Sequence, residues 1–156
     1  MTPDDRLAEK LRQLAVELPP APAPKGLYRP LVIVDRLAFT AGHLPVRPDG
    51  SIVTGRLGAG MDVAAGQQAA QLAGLGILAT LRAALGSLDR VRRLVKLLGA
   101  VNCTLEFDQQ PAVLNGCSQL LADVFGDDGI GARTAVGVAA LPLGAAVEIE
   151  TIWEVR

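Results

Sequence analysis

Aromatic residues are scarce in this 156-residue chain: three Phe, one Tyr and one Trp. That leaves no array of rings on which bases could stack, and the net charge of −1 supplies no field to recruit a polyanion. A nucleic-acid partner is therefore not expected. Two cysteines, Cys103 and Cys117, are too few for a disulfide framework, and the single histidine, His43, has no second His or Cys at ligand spacing. No metal site is expected. No apolar run reaches the length of a membrane span, and charges at Asp4, Asp5, Arg6, Glu9 and Lys10 break up any leader-like segment. These absences point to a soluble cytoplasmic protein with reduced thiols and no membrane partner.

Half of the residues are hydrophobic, mostly Ala, Val and Leu, and at this length folding into one domain buries about two thirds of the extended surface. Thr2-Pro3-Asp4-Asp5 reads as a capped helix start, and Leu7, Leu11, Leu14 and Leu18 repeat at helical spacing. Pro19, Pro20, Pro22 and Pro24 end that helix in a stiff connector. Residues 1–25 thus form an amphipathic helix and a linker ahead of a domain at 26–156, the helix packing on that domain or on a neighbouring subunit.

Within the domain, Leu31–Val34 and Leu37–Ala41 flank Asp35-Arg36 as a tight hairpin. Residues 45–60, rich in Gly and Pro, read as loop with room for a short strand at Ser51–Val53. Asp62 caps a long helix that Gly86 stops; Arg90–Cys103 is a long strand, and a second helix runs from Asp108 or Pro111 to Gly126. Gly74-Leu75-Gly76 lies inside a helix rather than after a strand, so it is no dinucleotide fingerprint but a place for close packing. Arg90, Arg92, Arg93 and Lys96 read as a solvated strand end. Thr134–Ala140 and Ala146–Val155 are two strands joined by Leu141-Pro142-Leu143-Gly144 as a hairpin. The order ββαβαββ predicts an α+β sandwich with both helices on one face of a mixed sheet.

The end of the chain is the most telling part. Arg133 precedes fourteen uncharged residues that end at Glu148. A charge opening an apolar strand is costly unless it has a task, and a guanidinium can hold a carboxylate through two parallel hydrogen bonds. In a closed hairpin Arg133 would lie opposite Trp153 and Glu148 opposite Val138, separating the two by ~16 Å along the sheet. They could then serve one small ligand only if they came from different subunits.

Arg133-Thr134-Ala135, the apolar strand, Leu141-Pro142, the short turn and Val147-Glu148-Ile149-Glu150 together resemble the signature of the Rid family, the reactive intermediate deaminases also called YjgF-like or L-PSP endoribonuclease proteins. Gly26-Leu27-Tyr28 and Thr40-Ala41-Gly42-His43-Leu44-Pro45 resemble that family's Gly-Pro-Tyr and Thr-Ser-Gly-Gln-Ile-Pro segments at matching spacing. The resemblance, which covers residues 26 to 155, implies the chorismate-mutase-like fold and a homotrimer with sites in clefts between subunits. It implies hydrolysis of enamine or imine intermediates of amino acids to 2-keto acids and ammonia, without a cofactor. It makes Arg133 the carboxylate anchor and Glu148 the residue that handles water and a proton. Tyr28, Gly42, His43 and Asn115 are then substrate-binding. Two departures mark a divergent branch: Ala135 stands where a Cys is common, and Ala41 where Ser is common. They keep a second reading open, a non-catalytic trimer that binds small carboxylates; the endoribonuclease of the older family label is the third.

Overall fold

The computed structural model describes all 156 residues, built as one five-stranded sheet with two helices on one face and a third at their side. Helix α1 (Pro3–Leu14) opens the chain. Strands β1 (Leu31–Val34) and β2 (Leu37–Thr40) form the expected hairpin, turned at Asp35 with a left-handed φ of 53°. A minor parallel pair, β3 (Arg56–Leu57) and β4 (Gly60–Met61), leads into α2 (Val63–Leu85). Strand β5 (Val91–Asn102), helix α3 (Gln110–Phe125) and strands β6 (Ala132–Val138) and β7 (Val147–Val155) complete the order. No helix is long and apolar enough to cross a membrane.

The caps read from sequence are the caps observed. Asp62 accepts from the Ala65 amide at 2.8 Å, and Gly86 closes α2 at φ 83°. Thr2 and Asp5 form a reciprocal capping box. Helix α1, however, ends at Leu14, where Ala15 takes a left-handed φ of 54°, so Leu18 lies beyond the helix although it keeps the periodicity. The helix is fastened to the body: Leu7 is 1% exposed within the main core, Lys10 pairs with Asp123 of α3 at 2.6 Å, and Asp4 accepts from Ser87 Oγ at 2.5 Å and the Leu88 amide at 3.1 Å.

The strand order is β1-β2-β7-β5-β6, and here the sequence expectation fails at one joint. Strands β6 and β7 do not pair as a hairpin. Both pair with β5, β6 parallel to it and β7 antiparallel. Strand β5 needs neighbours on both sides, and α3 returns the chain to the far edge as a crossover, which makes β6 parallel. The Leu141–Gly144 turn then carries the chain over the end of β5 to its other side. Helices α2 and α3 cover the face bearing Leu97, Val101, Ile149 and Trp153. Between them, a Cβ on Gly74 would meet Leu120 Cδ2 at 3.0 Å and Cys117 Sγ at 3.1 Å, so the glycine lets α2 and α3 approach closely. The opposite sheet face is open, and Val32, Val34, Leu37 and Phe39 are exposed on it.

Candidate functional site

Arg133 pairs in register with Leu97, and Glu148 pairs with Ala100 on the other side of β5. The offset is three residues along and two strands across, or ~14 Å between Cα atoms. Three is also an odd number, so the side chains lie on opposite faces. Arg133 points to α3. Glu148 alternates with the buried Val147 and Ile149 and therefore points to the open face. The hairpin that suggested their separation is absent, yet the separation persists. Two candidate half-sites result.

The first half-site is built on α3. Asn115 and Ser118, three residues apart, share one helix face. Arg133 Nη1 donates to Asn115 Oδ1 at 2.8 Å and to Ser118 Oγ at 3.0 Å, and Nη2 donates to the Pro111 carbonyl at 3.2 Å. Of the five guanidinium N–H groups, the one on Nε and one on Nη2 stay free, enough to hold a carboxylate. The guanidinium opens on a cavity of 390 Å³ whose walls include Leu94, Leu97 and Ile130. The family resemblance names Asn115 and Arg133 each as substrate-binding without placing them in contact, and it does not name Ser118. The signal was available, because a second polar residue three positions after Asn115 falls on the same helical face.

The second half-site centres on Glu148. An antiparallel bridge, His43 amide to Ile149 carbonyl at 2.8 Å and Ile149 amide to His43 carbonyl at 3.0 Å, fixes the chain after β2 beside β7. Gly42 is thereby held against the carboxylate: a Cβ there would stand 2.2 Å from Glu148 Oε1. The Gly42 amide donates to nothing within the chain. Partial burial, and secondarily the charge of Glu150, push the Glu148 carboxyl above the ordinary carboxylate range. Tyr28 lies in the loop entering β1, half exposed, its hydroxyl accepting from the Lys25 amide at 3.3 Å. Because the Ala41 amide donates to the Pro30 carbonyl at 2.9 Å, that loop reaches the same end of the sheet as Gly42.

His43 must be corrected. Its ring is 4% exposed and faces α2, where Nδ1 donates to the Ala41 carbonyl at 2.7 Å and Nε2 lies 2.8 Å from Thr80 Oγ1. A carbonyl only accepts, so the neutral ring carries its proton on Nδ1 and Nε2 accepts from Thr80. Burial pushes its pKa down. Both nitrogens are engaged inside the core, so the imidazole offers nothing to a substrate; its contribution is to clamp Gly42 in place. The thiols are no nucleophiles for either half-site: Cys117 is buried and pushed up to about 12, and Cys103 is buried at the far end of β5. No three His, Cys, Asp or Glu side chains converge to hold a metal.

Residues 8–153 match the protein family described as "YjgF/chorismate_mutase-like, putative endoribonuclease". Protein TCP17 of Trypanosoma cruzi is 44% identical over 152 residues, covering 97% of this chain and 95% of that protein. The crystal structure of Atu1372 from Agrobacterium tumefaciens, a protein of unknown function, superposes with a TM-score of 0.90 at 42% identity over 99% of this chain and 96% of its own. Escherichia coli TdcF, solved with bound serine, superposes at 0.63 with 28% identity, covering 87% and 93%. With residues 8–153 matched by the family and a relative 44% identical over nearly the full length of both chains, the chain belongs to the YjgF-like, or Rid, family.

Proposed function

We propose that the protein hydrolyses 2-imino acids, the enamine and imine intermediates of amino acids, to 2-keto acids and ammonia. The observation that carries this reading is the pair of half-sites on opposite faces of one sheet. Arg133 has two free donors for a carboxylate, while Glu148 and the unpaired Gly42 amide stand together where water could be activated. Neither half suffices, and a homotrimer that brings Arg133 of one copy to Glu148 of the next would complete both. The exposed apolar residues of the open face support such an assembly. In the completed cleft the carboxylate rests on Arg133, and Glu148 takes a proton from water as it adds to the imine carbon. Glu148 returns that proton to the nitrogen, giving an amino alcohol. It then takes the hydroxyl proton and passes it to the nitrogen as the C–N bond breaks, so that the keto acid and ammonia leave and the carboxylate is regenerated. A raised carboxyl pKa suits this exchange, since it brings the base nearer to neutral pH.

The test mixes two inactive variants, Arg133→Ala and Glu148→Gln, after co-refolding, in a reaction where a dehydratase releases 2-aminoacrylate. Random trimers with head-to-tail sites should recover about one quarter of wild-type keto-acid formation, because each mixed trimer holds one intact site. No recovery refutes the shared site. The second reading, a trimeric binder of small carboxylates, is favoured by Ala135 and Ala41, which remove a thiol and a hydroxyl that could touch substrate. TdcF holding serine is a relative in which a small amino acid is bound. Wild-type protein that binds 2-oxobutyrate without accelerating 2-aminoacrylate decay would establish that reading instead.

A further inference from the structure

The polar side chains gathered around Arg133 are left with hydrogen-bond donors, and this follows from how they satisfy one another. Arg133 spends both Nη1 hydrogens on Asn115 Oδ1 and Ser118 Oγ, so these two oxygens act as acceptors. Each residue is left with its hydrogens. The Ser118 hydroxyl hydrogen has no acceptor within the chain, and the Asn115 amide nitrogen likewise donates to no protein atom. A helical serine commonly turns its hydroxyl back on the carbonyl four residues earlier, here Leu114, but that bond is not made. The oxygen is oriented by the guanidinium instead. Together with the free Nε and Nη2 hydrogens, those of Ser118 and Asn115 form a group of donors around Arg133, in a cavity also lined by Leu94, Leu97 and Ile130 and by Gln119, whose amide nitrogen is engaged by Asp123.

Resting on the reading of Arg133 as a carboxylate anchor, we propose that Ser118 determines specificity at this site by donating its free hydroxyl hydrogen to the heteroatom on C2 of the bound acid. A planar 2-oxo group next to a carboxylate offers acceptors only, and a neutral 2-imino nitrogen offers its lone pair to the same Ser118 donor. A carboxylate with nothing on C2 leaves the Ser118 donor unmet, and an ammonium group on C2 would sit beside a guanidinium. Ser118 therefore supplies from α3 the hydroxyl that Ala41 no longer provides.

Titration calorimetry of the full-length protein with 2-oxobutyrate and with butyrate tests this, since the two differ only at C2. Wild type should favour 2-oxobutyrate by about tenfold, the worth of one hydrogen bond in a partly dry site. Ser118→Ala should bring the two within about twofold, with 2-oxobutyrate losing more than butyrate, and Ser118→Thr should restore the preference. A preference that survives in Ser118→Ala overturns the assignment, as does an equal loss for both ligands, which would mean that Ser118 only props Arg133. Arg133→Ala separates the two levels: if binding and preference persist without it, the anchor is wrong and the Ser118 role falls with it. Wild type that binds neither acid has the same consequence.

Discussion

Gly42→Ala should separate function from folding. The backbone at Gly42 is not in the left-handed region, so alanine fits it without strain. The added methyl would stand 2.2 Å from Glu148 Oε1, 2.8 Å from Cδ and 3.0 Å from Cγ. An ordinary carbon–oxygen contact is about 3.2 Å or more, so the carboxylate must retreat by roughly 1 Å, and a misplacement of that size costs on the order of 100-fold in rate. That corresponds to about 2.7 kcal/mol of transition-state stabilisation. Stability should hardly change, because the atoms that move are the end of a half-exposed side chain with room on the open face. Gly116→Ala is the counterexample. Its methyl would fall 1.9 Å from the Gln67 carbonyl oxygen, a backbone atom of α2, so the helices must part and the loss is of folding. Keto-acid formation from 2-aminoacrylate and urea unfolding, measured on both variants, give the comparison. Gly42→Ala with undiminished turnover would refute the placement of Glu148 as the working base; Gly42→Ala with a large fall in stability would refute the account of the packing.

Stability should fall in acid through His43. Burial lowers its folded pKa from the ordinary 6.5, so its contribution is complete above about pH 6.5 and is lost as pH drops toward the folded value; His43→Gln should flatten that part of a urea-midpoint profile. Ala15→Gly should raise the melting temperature, since a left-handed alanine costs about 1–2 kcal/mol, of which the greater freedom of unfolded glycine returns only part. An unchanged or lower melting temperature would mean that the Ala15 methyl makes a contact worth as much as the strain.

Local signals in the sequence were read well and distant ones less so. Asp62, Gly86 and the Thr2–Asp5 box announce helix ends because a cap is a bond between residues three or four apart. Asp35-Arg36 announces a hairpin for the same reason. Leu141-Pro142-Leu143-Gly144 marks a reversal equally clearly, but a turn does not name the partner of the strand that follows it. The partner was legible only through β5, whose twelve residues flanked by helices imply a central strand with a crossover, and a crossover makes the next strand parallel. At the site, Asn115 came through family spacing and Ser118 was within reach of helical periodicity. His43 was misassigned because sequence cannot tell a histidine that alternates into the core from one at a cleft. Only the bridge to Ile149 fixes which way its ring turns.

That same insertion of β5 ties the chemistry to the assembly. Arg133 and Glu148 differ by an odd number of positions across β5, and sliding either strand to its next in-register pairing, two residues away, keeps them on opposite faces. No rotamer change within one chain can unite them, so on the composite-site reading a second copy is part of the active unit. The face that must meet it is the open one, which bears Glu148 and, level with positions four to six residues further along β7, the exposed Val32, Val34, Leu37 and Phe39. Covering that face would dry Glu148 further, and drying is the main cause that already raises its carboxyl. Base strength and association then rise together, because the surface that excludes water from the interface is the surface that holds the proton.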